Sequence, residues 1–261
     1  MTIPIYQVDA FTDTLFGGNP AAICPLTEWL PDELMQQIAT ENNLAETAFF
    51  VKNETGYKLR WFTPEYEIDL CGHATLASAH ILFTELGYTA DIINFKTVKA
   101  GTLTVKKDGD KYSMDFPSRP PAPAEIPEHL LEALGGKQPI AVLRSRDYVL
   151  VYESEQDILD MKPDFSLLAK VDTLGVIITA PGSEVDFVSR FFAPSAGINE
   201  DPVTGSAHCT LIPYWADKLG KTMLRAYQLS ARKGELWCEL KGDRVLMAGK
   251  AVTFLKGEIY I

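Results

Sequence analysis

Few cysteines, few histidines and no long apolar run mark this 261-residue chain. Cys24, Cys71, Cys209 and Cys238 are widely spaced, with no close pairing of the zinc type, so neither a disulfide scaffold nor a structural metal is expected. No stretch approaches the roughly eighteen uninterrupted apolar residues of a membrane span. Met1 to Asp9 lacks a basic region followed by an apolar core, so export is not expected and the cytoplasm is the expected location. Positive charge is also scarce, with 24 Lys and Arg against 35 Asp and Glu and a formal net charge of −11. Such a balance argues against the basic patches that neutralise phosphates, so nucleic acid is not expected as a partner, and without an apolar run neither is a membrane.

What the chain does contain is a copy of itself. Arg60-Trp61-Phe62-Thr63-Pro64 matches Arg190-Phe191-Phe192-Ala193-Pro194 at an offset of 130 residues. Cys71-Gly72-His73-Ala74 matches Thr204-Gly205-Ser206-Ala207 at 133, and Gly101 to Met114 matches Gly234 to Met247 at the same 133. A near-constant offset kept in order across separate motifs marks a duplicated architecture rather than chance likeness among hairpins. The third pair reads as strand, tight turn at Gly109-Asp110 or Gly242-Asp243, strand.

Strands are expected over Ile3 to Asp9, Glu46 to Val51 and Leu59 to Phe62, and a helix from Asp32 to about Glu41. After Cys71-Gly72 the pattern of Ala74, Leu76, Ala77, Ala79, Ile81, Leu82 and Leu86 has no polar face, which predicts a helix buried nearly all round. Its counterpart runs from Gly205 or Ser206 to about Leu219. The proline-rich stretch Pro117 to Pro123 suits a stiff connector and puts the boundary near residue 118, giving halves of residues 1–118 and 119–261. The expected class is α+β, with strands wrapped round one central helix in each half.

Two helices that start at glycines offer unpaired N–H groups and partial positive charge, which suits a small carboxylate held where the halves meet. The ordinary alternative, that Gly72 and Gly205 only permit tight entry into buried helices, has equal weight on these residues alone. Glu46, just before the apolar Ala48-Phe49-Phe50, is by position alone more readily a solvated or capping residue than an acid–base group. His73 reads as a helix-start residue, and Asp201 as a turn residue before Pro202. His80 and His208 read as packing or polar-patch residues.

Five motifs together resemble the PhzF-like family of phenazine-biosynthesis proteins. They are Gln7-Val8-Asp9-Ala10-Phe11-Thr12, Phe16-Gly17-Gly18-Asn19-Pro20, Leu44-Ala45-Glu46-Thr47-Ala48-Phe49, Cys71-Gly72-His73-Ala74-Thr75 and Glu200-Asp201-Pro202-Val203-Thr204-Gly205-Ser206-Ala207. The resemblance implies a diaminopimelate-epimerase-like fold of two similar domains, each a mostly antiparallel sheet curled round a central helix. It implies a homodimer and a site free of metal and cofactor, and it implies that strand 251–261 returns to the first domain. It implies an isomerase of a small, cyclic amino or hydroxy carboxylic acid, with Glu46 moving a proton between carbons. His73 and Asp201 match further active-site positions. Ser206 and the amides of Gly72 and Gly205 match groups that hold the carboxylate, and Gly18 and Asn19 match a loop that closes over the pocket.

Relatives of this fold that epimerise amino acids use two cysteines, one before each glycine-started helix. The first position here is Cys71 and the second is Thr204, which has no acidity near neutral pH, so a two-thiol epimerase is disfavoured. A single-cysteine epimerase or dehydratase using Cys71 stays open as an alternative, as does a non-catalytic metabolite-binding module.

Overall fold

The computed structural model describes residues 1–261 and divides into two compact units. One comprises Met1–Asp115 with Ala248–Ile261, the other Phe116–Met247. The division falls three residues before the expected boundary at 118, and the C-terminal segment belongs to the first unit from Ala248, in line with the return that the resemblance implied for strand 251–261.

The chain enters through β1 (Thr2–Ala10), β2 (Asn19–Leu26), α1 (Asp32–Asn42), β3 (Glu46–Asn53), β4 (Gly56–Phe62), β5 (Glu67–Ile68), α2 (Gly72–Thr84), β6 (Ile92–Lys96), β7 (Thr102–Asp108) and β8 (Lys111–Pro117). The second unit contains β9 (Ala122–Pro123), α3 (Leu130–Ala133), β10 (Ala141–Arg144), β11 (Tyr148–Val151), α4 (Glu155–Asp160), α5 (Phe165–Leu168), β12 (Val176–Pro181) and β13 (Phe187–Ala193). It continues through β14 (Ile198–Asp201), α6 (Gly205–Leu219), β15 (Met223–Gln228), β16 (Gly234–Lys241) and β17 (Arg244–Gly249), before β18 (Ala251–Tyr260) pairs antiparallel with β1.

Topology repeats what the motifs foretell. β2 and β3 are parallel, β3 and β4 antiparallel, β4 and β6 parallel, β6 and β7 antiparallel. In the second unit the series β11–β12, β12–β13, β13–β15 and β15–β16 runs parallel, antiparallel, parallel, antiparallel. Parallel neighbours need a crossover, and here the crossovers carry the helices. α1 links β2 to β3 and α2 links β4 to β6; α4 and α5 link β11 to β12, and α6 links β13 to β15.

β3 is buried without interruption from Glu46 to Phe50 because both its faces are covered. Phe49 packs with Met35, Ile38 and Ala39 of α1, and Asn42 Nδ2 donates to Thr47 Oγ1 at 3.0 Å on that side. By alternation, Glu46, Ala48 and Phe50 look the other way.

Every residue of α2 from His73 to Leu82 is buried, in keeping with its lack of a polar face. Its hydroxyls turn inward on their own helix: Thr75 donates to the Cys71 carbonyl at 2.5 Å and Ser78 to that of Ala74 at 2.7 Å. In α6 the buried Pro213 supplies no N–H to the carbonyl of Cys209 four residues back, and the Arg119 N–H fills the gap at 2.9 Å.

Both extra histidines are structural. His80 lies between the hydroxyls of Tyr112 and Thr253, each at 3.0 Å, and His208 Nδ1–H donates to the Thr204 carbonyl at 2.9 Å. Burial lowers the pKa of each to about 4. For His208 the sign is fixed by burial of the neutral ring: below about 6.5 the unfolded chain takes up a proton that the folded chain refuses until about 4. Its contribution is therefore complete above pH 6.5 and falls away toward pH 4, by roughly 3 kcal/mol. Urea unfolding of His208→Gln at pH 7 and pH 5 should show a shallower loss on acidification than the unsubstituted protein. An equal loss in both removes His208 as its source.

Candidate active site

Register decides what meets Glu46. The β1–β2 register sets Asn19 opposite Ala10, and the β2–β3 register sets Ala21 opposite Glu46. Asn19 and Glu46 thus project from neighbouring strands toward the start of α2, where Cys71 is the N-cap and His73 the second helical residue. His73 Nε2 stands 3.0 Å from Glu46 Oε2, and neither atom has another partner, so the contact is an ion pair rather than a well-aligned hydrogen bond. On the ring's other side, Nδ1 lies 3.5 Å from Cys71 Sγ and 3.3 Å from the Asn19 amide. Glu46, Cys71 and His73 are 8%, 5% and 5% exposed, and Asn19 is fully buried.

Burial opposes charge on His73, but its pairing with Cys71 and Glu46 outweighs burial and lifts its pKa well above 6.5. Burial, with the adjacent Glu46 carboxylate, pushes the Cys71 thiol up to about 11. Cys71 is therefore a thiol near neutral pH, and the Glu46 carboxylate is the neighbour that favours a proton on the His73 ring. Losing that proton would leave net negative charge in a site with little water. Cys71 is correspondingly a poor base, which weighs against the single-thiol alternative.

Asn19 lies outside the expected loop, and Gly18 is the bend that ends it. Asn19 is the first residue of β2, and Gly18 is wedged against β1 at a φ of +58°. A Cβ on Gly18 would stand 2.1 Å from the Ala10 carbonyl oxygen, so glycine is required there twice over, by conformation and by space. Gly18→Ala should cost about 2 kcal/mol or more and pull Asn19 from His73. A shift in urea midpoint of under half that size would show that the turn can relax.

The second unit repeats the arrangement with other side chains. Thr204 is the N-cap of α6, and its Oγ1 donates to Asp201 Oδ2 at 2.6 Å. Buried Gln228 spans both: its Oε1 accepts from the Thr204 N–H at 2.8 Å, while its Nε2 donates to the Asp201 carbonyl at 2.8 Å and approaches Thr204 Oγ1 at 3.1 Å. Ser206 Oγ lies 3.0 Å from a guanidinium nitrogen of Arg146, beside the first amides of α6. Neither Gly72 nor Gly205 has a positive φ, so backbone conformation is not what demands glycine at the two helix starts. Gln228 and Arg146 lie outside the motifs that pointed to the other residues. Their only local hint is polarity inside or beside strand-like sequence, which many solvated residues share.

The two-unit, twice-wound arrangement is the diaminopimelate-epimerase-like fold, and a crystal structure of a probable proline racemase from Agrobacterium radiobacter K84 shares it, with a TM-score of 0.65 at 9% identity over 99% of this chain and 92% of that one. The family model for phenazine biosynthesis-like protein (PhzC-PhzF) matches residues 8–257, and the chain belongs to that family. An uncharacterized isomerase of Pseudomonas aeruginosa is 50% identical over 261 residues, covering both chains in full. A crystal structure of a PhzF-family phenazine biosynthesis protein from Enterococcus faecalis superposes with a TM-score of 0.97 at 49% identity over the whole of both chains.

Proposed function

We infer that this protein is an isomerase that moves a proton between two carbons of a small, cyclic amino or hydroxy carboxylic acid, with Glu46 as the acid–base group. The observation that carries the reading is the buried carboxylate of Glu46 facing the His73 ring at 3.0 Å. In the reaction Glu46 takes a proton from one carbon as the C–H electron pair moves into a new π bond. The existing double bond shifts along, and the carboxylic acid of Glu46 returns a proton to its far carbon. Atoms and charge balance with no redox partner. His73, 3.0 Å from Glu46, stabilises the site as the proton moves. Asn19 and Cys71, both at Nδ1, hold the ring in place.

The substrate carboxylate is assigned to the Gly72 amide at the start of α2. In the second unit Asp201 is held by Thr204, and Gly205 and Ser206 open α6. Relatives at 50 to 51% identity that are named isomerases support the reaction class. The test is incubation with a panel of cyclic and amino-acid carboxylates in deuterated water, with NMR detection of carbon-bound deuterium. Enrichment that depends on Glu46 supports the reading; ligand binding without exchange across the panel favours a binding module instead.

A further inference from the structure

The register that turns two aromatic rings inward forces two lysines together. β4 and β6 run parallel, with Tyr57 opposite Phe95 and Lys58 opposite Lys96. The Tyr57 and Phe95 rings pack with centroids 6.2 Å apart, so by alternation both lysines project from the other face of the sheet. Neighbouring strands are about 4.8 Å apart, and like charges placed directly opposite one another destabilise a sheet. Although the chain has 35 Asp and Glu against 24 Lys and Arg, neither lysine has an ion-pair partner. Asp32 and Glu67 are held by Arg60, and Asp69 by Lys99.

Lys58 and Lys96 line a recess of about 330 Å³ together with Trp29, Arg60 and Val98. That volume falls within the span of small-molecule sites, roughly 300 to 1,000 Å³. Arg60 adds order there rather than free charge. Bound to Asp32 and Glu67, it lies over the Trp29 ring at 5.5 Å and fixes the ring as one wall. Val98, 70% exposed, is a second apolar wall. The recess is on the α1 side of the sheet, because Arg60 stands opposite Phe49, which packs on α1, whereas Glu46 looks the other way.

We propose that Lys58 and Lys96 hold the phosphate of a small phosphate monoester whose flat, apolar body rests against Trp29. A phosphate monoester carries about −1.5 to −2 charge at pH 7 and three acceptor oxygens, which answers two adjacent ammonium groups that no carboxylate neutralises. A single carboxylate brings less charge and fewer acceptors. Lysine serves phosphate as a point charge on a flexible stem, so both can turn toward one group. The indole face and Val98 then remove the apolar part of the ligand from water. The site lies across the sheet from Glu46 and stands or falls separately from the reaction proposed above.

Phenyl phosphate is the probe. The full-length protein has four tryptophans whose indole N–H signals can be followed in ¹H–¹⁵N spectra, and W29F assigns that of Trp29. One equivalent of phenyl phosphate per chain should shift that signal saturably, with inorganic phosphate bound at least about tenfold more weakly. K58Q and K96Q should each weaken phenyl phosphate about tenfold, the double variant should abolish saturation, and E46Q should bind as the unsubstituted protein does. K96E gives Lys58 a carboxylate across the strands, so it should raise the urea midpoint while abolishing binding. No saturable shift at millimolar phenyl phosphate, undiminished binding in the double variant, loss of binding in E46Q, or equal affinity for inorganic phosphate would overturn the assignment. So would a lowered urea midpoint in K96E, which would mean that the paired lysines do not repel.

Discussion

Glu46→Gln is expected to lower deuterium exchange into substrate carbon by about a thousandfold while the protein stays folded. The side chain is nearly isosteric and the position buried, so packing against Ala48 and the start of α2 should survive. What disappears is the atom that accepts the carbon-bound proton, together with the negative charge opposite His73. Direct observation of the second loss is possible, because the chain has only four histidines and ¹⁵N spectra of their rings can be followed against pH. His73 is expected to titrate lower in the variant, since burial remains and its carboxylate partner has gone. By linkage, the stability that a raised histidine pKa contributes is present below about 6.5 and lost as pH rises through the folded value, and the variant should lack that dependence. Undiminished exchange in Glu46→Gln, with a suitable substrate in hand, would remove Glu46 from its role. A normal His73 titration in the unsubstituted protein would remove the ion pair.

The largest loss of stability is expected from Arg190→Met. Its guanidinium holds Glu200 through two nitrogens at 2.7 and 3.0 Å, and donates to the carbonyls of Ile158 and Met161 at 3.0 and 2.8 Å. It thereby ties β13 to β14 and to the end of α4. Removing it strands a partly buried carboxylate and two carbonyls, at a cost of roughly 3 kcal/mol. The duplicate in the first unit, Arg60, grips Glu67 at 2.7 Å through two nitrogens and reaches Asp32, which is largely exposed. Arg60→Met should therefore cost less, about 1 to 2 kcal/mol. Thermal and urea unfolding of both variants, with Glu200→Gln added to Arg190→Met, should show partial recovery in the double variant. Equal losses at Arg60 and Arg190 would mean that the carbonyl contacts of Arg190 add nothing.

These two arginines also show how far the chain could be read in advance. Both stand in the repeated Arg-aromatic-Phe-x-Pro motif, so the duplication that unites them was visible at once. Their glutamates were not, because nothing in a linear pattern says that Glu67 and Glu200 fold back across a hairpin onto them. The helix over Gly205–Leu219 was legible in the same way, from a local period and a glycine at its start. The carbonyl of Cys209 that Pro213 leaves unpaired was legible too, but the Arg119 N–H that fills it comes from outside the helix.

Glu46 illustrates the division for the site itself. A lone acidic residue before an apolar strand would ordinarily be solvated, and only its motif set it apart. Strand parity then dictates its direction: a slip of one residue would turn Glu46 toward α1 and Phe49 toward α2. Asn19 was misplaced for the same reason, as a glycine-rich approach reads as a loop until pairing with β1 makes it the buried start of β2.

The amino-acid sequence by itself determined the duplication, the two buried helices and the family, because periodicity, composition and ordered motifs are properties of neighbouring residues. Tertiary structure alone decided that Glu46, His73, Cys71 and Asn19 share one buried cluster, and that the pKa values of Cys71 and His73 are both raised there. Those outcomes depend on register, burial and the charges that distant segments bring together, and none of these is carried by a residue's neighbours in the chain.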